Sequence, residues 1–245
     1  MTLIASHRGG ALHWPENSPT AFRNTAALPV DQVEFDIHPT ADGNIVVHHD
    51  ATLDRTTSGT GPVAARSLAE LKALTLKGTN GEAMLTLAEL CALFAPTPIA
   101  LRMELKPGPD RKYYPGLLDH ALGIIDSYGL RARTVVTSFL AGSAAAAARR
   151  SGLAGAIWLV APEVQDMIGT AGVIAVAARH RLAAVGIRHA SLDPAVLATL
   201  RAAGLGVGCW AVNDEAAIAR MFALGVDVFT TDLPKVAITH RPGSR

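Results

Sequence analysis

The feature that most restricts how this chain can fold is an alternation of strand-like and helix-like stretches along nearly its whole length. Apolar, strand-forming stretches are predicted at 3–7, 32–37, 99–105, 134–138, 156–160, 183–187, 206–212 and 226–231. Between them, helical stretches are predicted at 20–27, 115–128, 141–150, 163–180, 194–203 and 214–224. Ser18-Pro19 opens the first helix, Ser as cap and Pro at the first helical position. Eight strands separated mainly by helices predict an α/β fold, a closed parallel TIM (β/α)8 barrel. An open doubly wound sheet would want a G-x-G-x-x-G turn after its first strand, and His7-Arg8-Gly9-Gly10 lacks that spacing. A length of 245 residues suits a single barrel domain over 1–245.

The rhythm breaks at about 51–97, which reads as a small insertion on the barrel. It holds a Thr- and Gly-rich loop, best read as a hydroxyl-rich turn. Two helical stretches follow, starting at Ser67 and Thr86, each with Glu three residues on, the capping-box pattern.

Residues 31–50, DQVEFDIHPTADGNIVVHHD, carry the strongest chemical signal. Strand side chains alternate faces, so Glu34 and Asp36 point one way while Val33, Phe35 and Ile37 point the other. Two acids on one face of a buried strand require a positive partner, and hard oxygen donors suit calcium or magnesium. The turn Ala41-Asp42-Gly43-Asn44 leaves no room for a parallel crossover, so 44–49 is predicted to return as a hairpin arm. That arm would hang His49 and Asp50 over the two acids.

Barrel chemistry sits on the loops after the strands' C-terminal ends. Those ends bring three acids (Glu34, Asp36, Glu104), two histidines (His7, His49) and two cations (Arg8, Lys106) to one mouth. Three carboxylates suit one divalent cation, and Arg8 and Lys106 suit a phosphate as fork and point charge. Two histidines flanking a phosphate suit a general base and a general acid. Taken singly, each of these residues is ordinary: Glu104 and Lys106 would pair as rim charges, and Trp210 would be barrel packing. His13, His38, His48, His120, His180, His189 and His240 read as surface or locally bonded. Their convergence at one barrel end is what singles out the main set.

Composition narrows the partners. Hydrophobic content of 49% with 18% charged residues describes a well-buried globular chain, and a net charge of +1 gives no case for nucleic acid or an anionic membrane. No leader peptide or membrane span is read; the nearest apolar run, 168–178, is short and rich in Gly and Ala. Cys91 and Cys209 read as small buried apolar residues without a disulfide, and a cytoplasmic location is the default.

Taken in order, HRGG, PENSPTAF, VEFDIHPTADGNIVVHHDATLDRTTSGTG, MELKPG, SF, WAVN and TTDLP resemble the glycerophosphodiester phosphodiesterases, from about residue 6 to 234. The resemblance implies a barrel that holds calcium or magnesium on Glu34, Asp36 and Glu104, and that hydrolyses glycerophosphodiesters to glycerol 3-phosphate and an alcohol. It implies His7 and His49 as the acid–base pair, Arg8 and Lys106 on the phosphate, and Trp210 as an aromatic wall against the glycerol. It also implies that Glu16, of the Glu16-Asn17 pair, orients a neighbour or touches the glycerol. Two departures stand out. His38 replaces an aliphatic residue or Gln, and Arg102 replaces a small polar residue. His7 is assigned the proton from the attacking oxygen and His49, steadied by Asp50, the departing alcohol, with the two roles interchangeable. The rival readings are a lysophospholipase-D-type enzyme on lipid-linked diesters, a carboxylate-metal isomerase or lyase, and a phosphate-ester binding barrel without catalysis.

Overall fold

The computed structural model describes residues 1–243. Eight strands run parallel and close on themselves: β1 (Leu3–Ser6), β2 (Gln32–Pro39), β4 (Ala100–Leu105), β5 (Thr134–Ser138), β6 (Gly155–Leu159), β7 (Ala184–Arg188), β8 (Gly206–Trp210) and β9 (Val228–Thr231). β1 pairs with both β9 and β2, which completes the barrel. The ninth strand, β3 (Ile45–Val47), is the hairpin arm, antiparallel to β2 with Ile37 opposite Val47.

The helices are α1 (Pro19–Ala26), α2 (Leu68–Lys72), α3 (Leu87–Phe94), α4 (Leu117–Ser127), α5 (Ala141–Ala148), α6 (Pro162–His180), α7 (Pro194–Ala202), α8 (Glu215–Leu224) and α9 (Pro234–Thr239). Ser18 caps α1 by accepting from the Ala21 N–H at 3.0 Å. Both capping boxes form, Ser67 with Glu70 and Thr86 with Glu89. The sequence pattern missed α9, and the long helix at 163–180 is broken at Gly169 (φ 64°, ψ 177°).

Alternation along the strands builds two layers. Val33, Phe35, Ile37, Leu101, Met103 and Leu105 face outward and pack against the helices in the main core. Inside the barrel a small apolar plug of Val135, Ile157 and Leu159 meets Ala184 and Trp210. The insertion divides in two. Leu53, Val63, Leu71, Leu76 and Met84 form a separate small core with Val46. In contrast, Leu87, Leu90, Cys91 and Phe94 of α3 belong to the main core, so α3 is a barrel helix leading into β4. The excursion therefore ends before α3, short of the expected boundary near 97. Cys91 and Cys209 are buried and free. No helix among the described residues is long and apolar enough to cross a membrane.

Candidate active site

The barrel's C-terminal end gathers the acids through strand register. Asp36 pairs with Glu104 and Glu34 with Arg102 across β2 and β4. Partners in a parallel register share a face, so the three carboxylates converge, each offering an oxygen within 4.8 Å of the others. All three residues are buried. Asn17 Nδ2 donates to Asp36 Oδ2 at 3.0 Å, and the Arg8 N–H donates to Glu34 Oε2 at 3.0 Å. Among the described residues Glu34 Oε1 and Asp36 Oδ1 have no hydrogen-bond partner, Asp36 Oδ1 facing the Lys106 ammonium at 3.4 Å. Buried carboxylate oxygens without hydrogen bonds, grouped with a third acid, fit a hard divalent cation.

Two basic side chains offset the acids. Lys106 Nζ lies 2.6 Å from Glu104 Oε1 and 3.4 Å from Asp36 Oδ1, and Arg8 Nε lies 3.5 Å from Asp36 Oδ2. The Lys106–Glu104 pair therefore exists, but inside the site and not on the rim. Burial, reinforced by Asp36, pushes Glu34 up to about 7. Burial acts the same way on Asp36, yet Lys106, His49 and Arg8 overcome it and hold this carboxyl well below the usual range.

The histidines are each backed by an aspartate. His7 Nδ1 is 2.6 Å from Asp232 Oδ1, and His49 Nδ1 is 2.6 Å from Asp50 Oδ1. A carboxylate at Nδ1 fixes the proton there and leaves Nε2 as the nitrogen able to exchange a proton elsewhere. The two backings differ. Asp232 is held by neutral Asn213, whose Nδ2 donates to Asp232 Oδ2 and whose Oδ1 accepts the Asp232 N–H at 2.8 Å. Asp50 is gripped by a cation, with Arg55 Nε at 2.7 Å and Nη2 at 3.0 Å. Burial lowers His7, but Glu34 and Asp232 outweigh it and raise its pKa. Burial also lowers His49, and there the pull of Asp36 and Asp50 does not overcome it against Lys106 and Arg8.

Sequence reasoning did not single out Arg55. Its other end holds Glu16 through two bonds of 2.7 Å, and Glu16 Oε1 in turn accepts from Arg8 Nη1 at 3.0 Å. Glu16 thus bridges two arginines and is absent from the cavity wall. His7, His49, Glu34 and Glu104 line an open cavity of about 580 Å³, whereas Asp36, fully buried, is not part of its wall. Arg8, Lys106 and Trp210 are in that wall, as are Arg102 and Phe139. Trp210 meets Phe139 edge to face at 5.6 Å and donates from Nε1 to the Gly186 carbonyl at 3.2 Å. Arg102 is fully buried, with Nη1 donating to Gln32 Oε1 at 3.2 Å; burial brings its pKa down to about 10 against the pull of Glu34 and Glu104.

Two histidines read from sequence as surface or locally bonded are buried and locally bonded through Nε2, with His38 Nδ1 left without a partner among the described residues. His38 Nε2 pairs with the His49 carbonyl at 3.2 Å and His48 Nε2 with the Thr52 carbonyl at 3.1 Å.

A parallel barrel with carboxylates, paired imidazoles and phosphate-suited cations at its C-terminal mouth defines a barrel hydrolase of phosphoric esters. Residues 7–236 match the glycerophosphoryl diester phosphodiesterase family. A glycerophosphodiester phosphodiesterase of Caldanaerobacter subterraneus is 28% identical over 246 residues, 97% of this chain and 96% of that protein. A crystal structure of a candidate glycerophosphoryl diester phosphodiesterase from Agrobacterium tumefaciens superposes with a TM-score of 0.95 at 40% identity, covering 98% of this chain and 96% of the other. An Oleispira antarctica phosphodiesterase, solved with the product sn-glycerol-3-phosphate, shares the fold at 23% identity with a TM-score of 0.77, covering 98% of this chain and 96% of that one. The chain belongs to the glycerophosphoryl diester phosphodiesterase family. It is a phosphodiesterase, a hydrolase of phosphoric diesters.

Proposed function

We propose that this enzyme hydrolyses glycerophosphodiesters to glycerol 3-phosphate and an alcohol, using one divalent cation, magnesium or calcium, on Glu34, Asp36 and Glu104. The observation that carries the reading is the buried three-carboxylate cluster, with oxygens without hydrogen bonds, beside two aspartate-backed histidines. The cation would neutralise charge on the phosphate and lower the pKa of the attacking hydroxyl. Arg8 and Lys106, which pair with the acids, would turn to the non-bridging phosphate oxygens once a cation shares the carboxylates.

The aspartate backings favour one order of proton transfer. Arg55 pairs with Asp50 and weakens its pull on an imidazolium at His49, whereas Asp232 behind His7 has no Lys or Arg partner among the described residues. His49 therefore serves as base: its Nε2 takes the proton as the attacking oxygen bonds to phosphorus. His7 serves as acid, protonating the alkoxide as the old P–O bond breaks. This reverses the order first assigned from sequence. Trp210 and Phe139 supply the apolar wall against the glycerol or the leaving alcohol.

A lysophospholipase-D-type variant of this reaction has one observation in its favour. Leu12, Phe139, Val164 and Met167 are exposed, and each lies in a segment following the C-terminal end of a barrel strand. One assay separates the readings: release of glycerol 3-phosphate or its acylated form from soluble glycerophosphodiesters and lysolipids, with chelator and with each metal restored. Chelator should abolish turnover and one metal should restore it. His49→Ala should cost about a hundredfold or more and remove one limb of a bell-shaped pH profile. Turnover indifferent to chelator, or a near-normal rate in His49→Ala, would overturn the assignment.

A further inference from the structure

We propose that Arg102 is a built-in counter-charge of the carboxylate site, a fixed third cation that stabilises the metal-free barrel and holds divalent-cation affinity down. Three positions in the fold point to this. On β4, Arg102 and Glu104 are two residues apart and share the inward face; in register, Arg102 stands opposite Glu34 on β2. Its side chain spans the lumen, with Nη2 3.7 Å from where a Cβ on Gly208 of β8 would be. The guanidinium makes one hydrogen bond, to neutral Gln32, and no ion pair among the described residues, although it is 2% exposed and lines the cavity with Glu34 and Glu104.

A cation buried without a partnered carboxylate is stable only in a field of net negative charge. When all three are ionised, Asp36 and Glu104 are paired with Arg8 and Lys106, while Glu34 has the His7 imidazole at 3.9 Å as its one ion-pair partner among the described residues. Glu34, in register with Arg102, is the acid whose charge Arg102 balances. Arg8 and Lys106 sit at the mouth, where they can exchange carboxylate for phosphate, whereas Arg102 is enclosed in the lumen and its charge stays in place. An incoming dication is repelled by that charge, and the metal-free acids are relieved by it.

The inference rests on the cation assignment above, and its test reads metal binding directly. Magnesium and calcium are titrated by calorimetry into the wild type, Arg102→Met, Arg102→Asn, Arg102→Lys and Gln32→Leu, and unfolding temperatures are taken with chelator and with saturating cation. Arg102→Met and Arg102→Asn should bind the cation about tenfold more tightly or better. Their unfolding temperature should fall in chelator and recover toward wild type with cation. Arg102→Lys keeps the charge, and Gln32→Leu keeps the guanidinium while removing its hydrogen bond, so both should stay within about threefold of wild-type affinity. Unchanged or weaker affinity in both neutral variants, an equal loss of stability with and without cation, or failure of both to fold at saturating cation would overturn the proposal. A wild type that binds neither metal would instead remove the cation assignment itself.

Discussion

At the scale of single residues, the two histidines differ first through burial, Lys106 and Arg8, which hold His49 down, and Arg55 adds to the difference. It compensates Asp50, whose pKa it holds well below the usual range chiefly through its hydrogen bonds. Arg55→Ala should leave the Asp50 charge free to favour an imidazolium at His49. The acidic limb of the pH–kcat/KM profile would then move to higher pH, with the maximal rate lower by about tenfold as Glu16 and Arg8 lose their tether. An unmoved limb would separate Arg55 from the proton chemistry. Glu34, Asp36 and Glu104 were legible in the sequence because period-two spacing on a strand fixes which side chains share a face. His49 was legible because a short turn forces a hairpin. Arg55 was not, since it lies in a loop without periodicity and one of its partners, Glu16, is 39 residues away. Asn213 and Asp232 both stood at strand ends, but nothing in the chain tied one to the other across 19 residues before β8 and β9 were seen side by side.

Among the elements, the excursion between β3 and α3 holds Arg55 over the mouth by its own small core. Leu71 is fully buried there. Leu71→Ala should cost about 2–5 kcal/mol by leaving a cavity in a cluster with few neighbours to collapse into it. Hydrogen exchange should show protection lost across 53–76 with the barrel strands unaffected, and turnover should fall with it as Arg55 loosens. Uniform loss of protection would mean that the excursion and the barrel unfold as one unit. Both capping boxes and all eight barrel strands were readable, because caps and alternation are local signals. The end of the excursion was not. α2 and α3 carry the same capping-box pattern and the same Leu-Ala-Glu-Leu opening, and only their packing partners assign one to the excursion and the other to the barrel.

For the whole molecule, the buried histidines shape the response of stability to acid. Burial pushes His38 down to about 4, so between pH 6.5 and 4 the unfolded chain binds a proton that the folded chain refuses. Stability from this group is present above pH 6.5 and is lost as the pH falls toward 4, about 2 kcal/mol of it by pH 5. Glu34, raised to about 7, has the opposite slope, which makes the difference between wild type and variant the quantity to measure. Urea unfolding of wild type and His38→Gln at pH 7 and pH 5 should show the smaller drop in the variant; equal drops would show His38 to be protonated at little cost in the fold. The lumen that holds all this chemistry is lopsided. β2 and β4 fill it with long polar side chains, while Gly186 and Gly208 on the far wall yield their space to neighbouring side chains. A methyl at Gly186 would stand 2.6 Å from Leu159 Cδ2 and 3.6 Å from the Trp210 ring, and one at Gly208 would stand 3.1 Å from Val228 Cγ1. Growth on that wall therefore reaches the chemistry: a side chain at Gly208 would stand 3.7 Å from Arg102 Nη2, and one at Gly186 would displace Leu159, so descendants of this scaffold should keep both positions small.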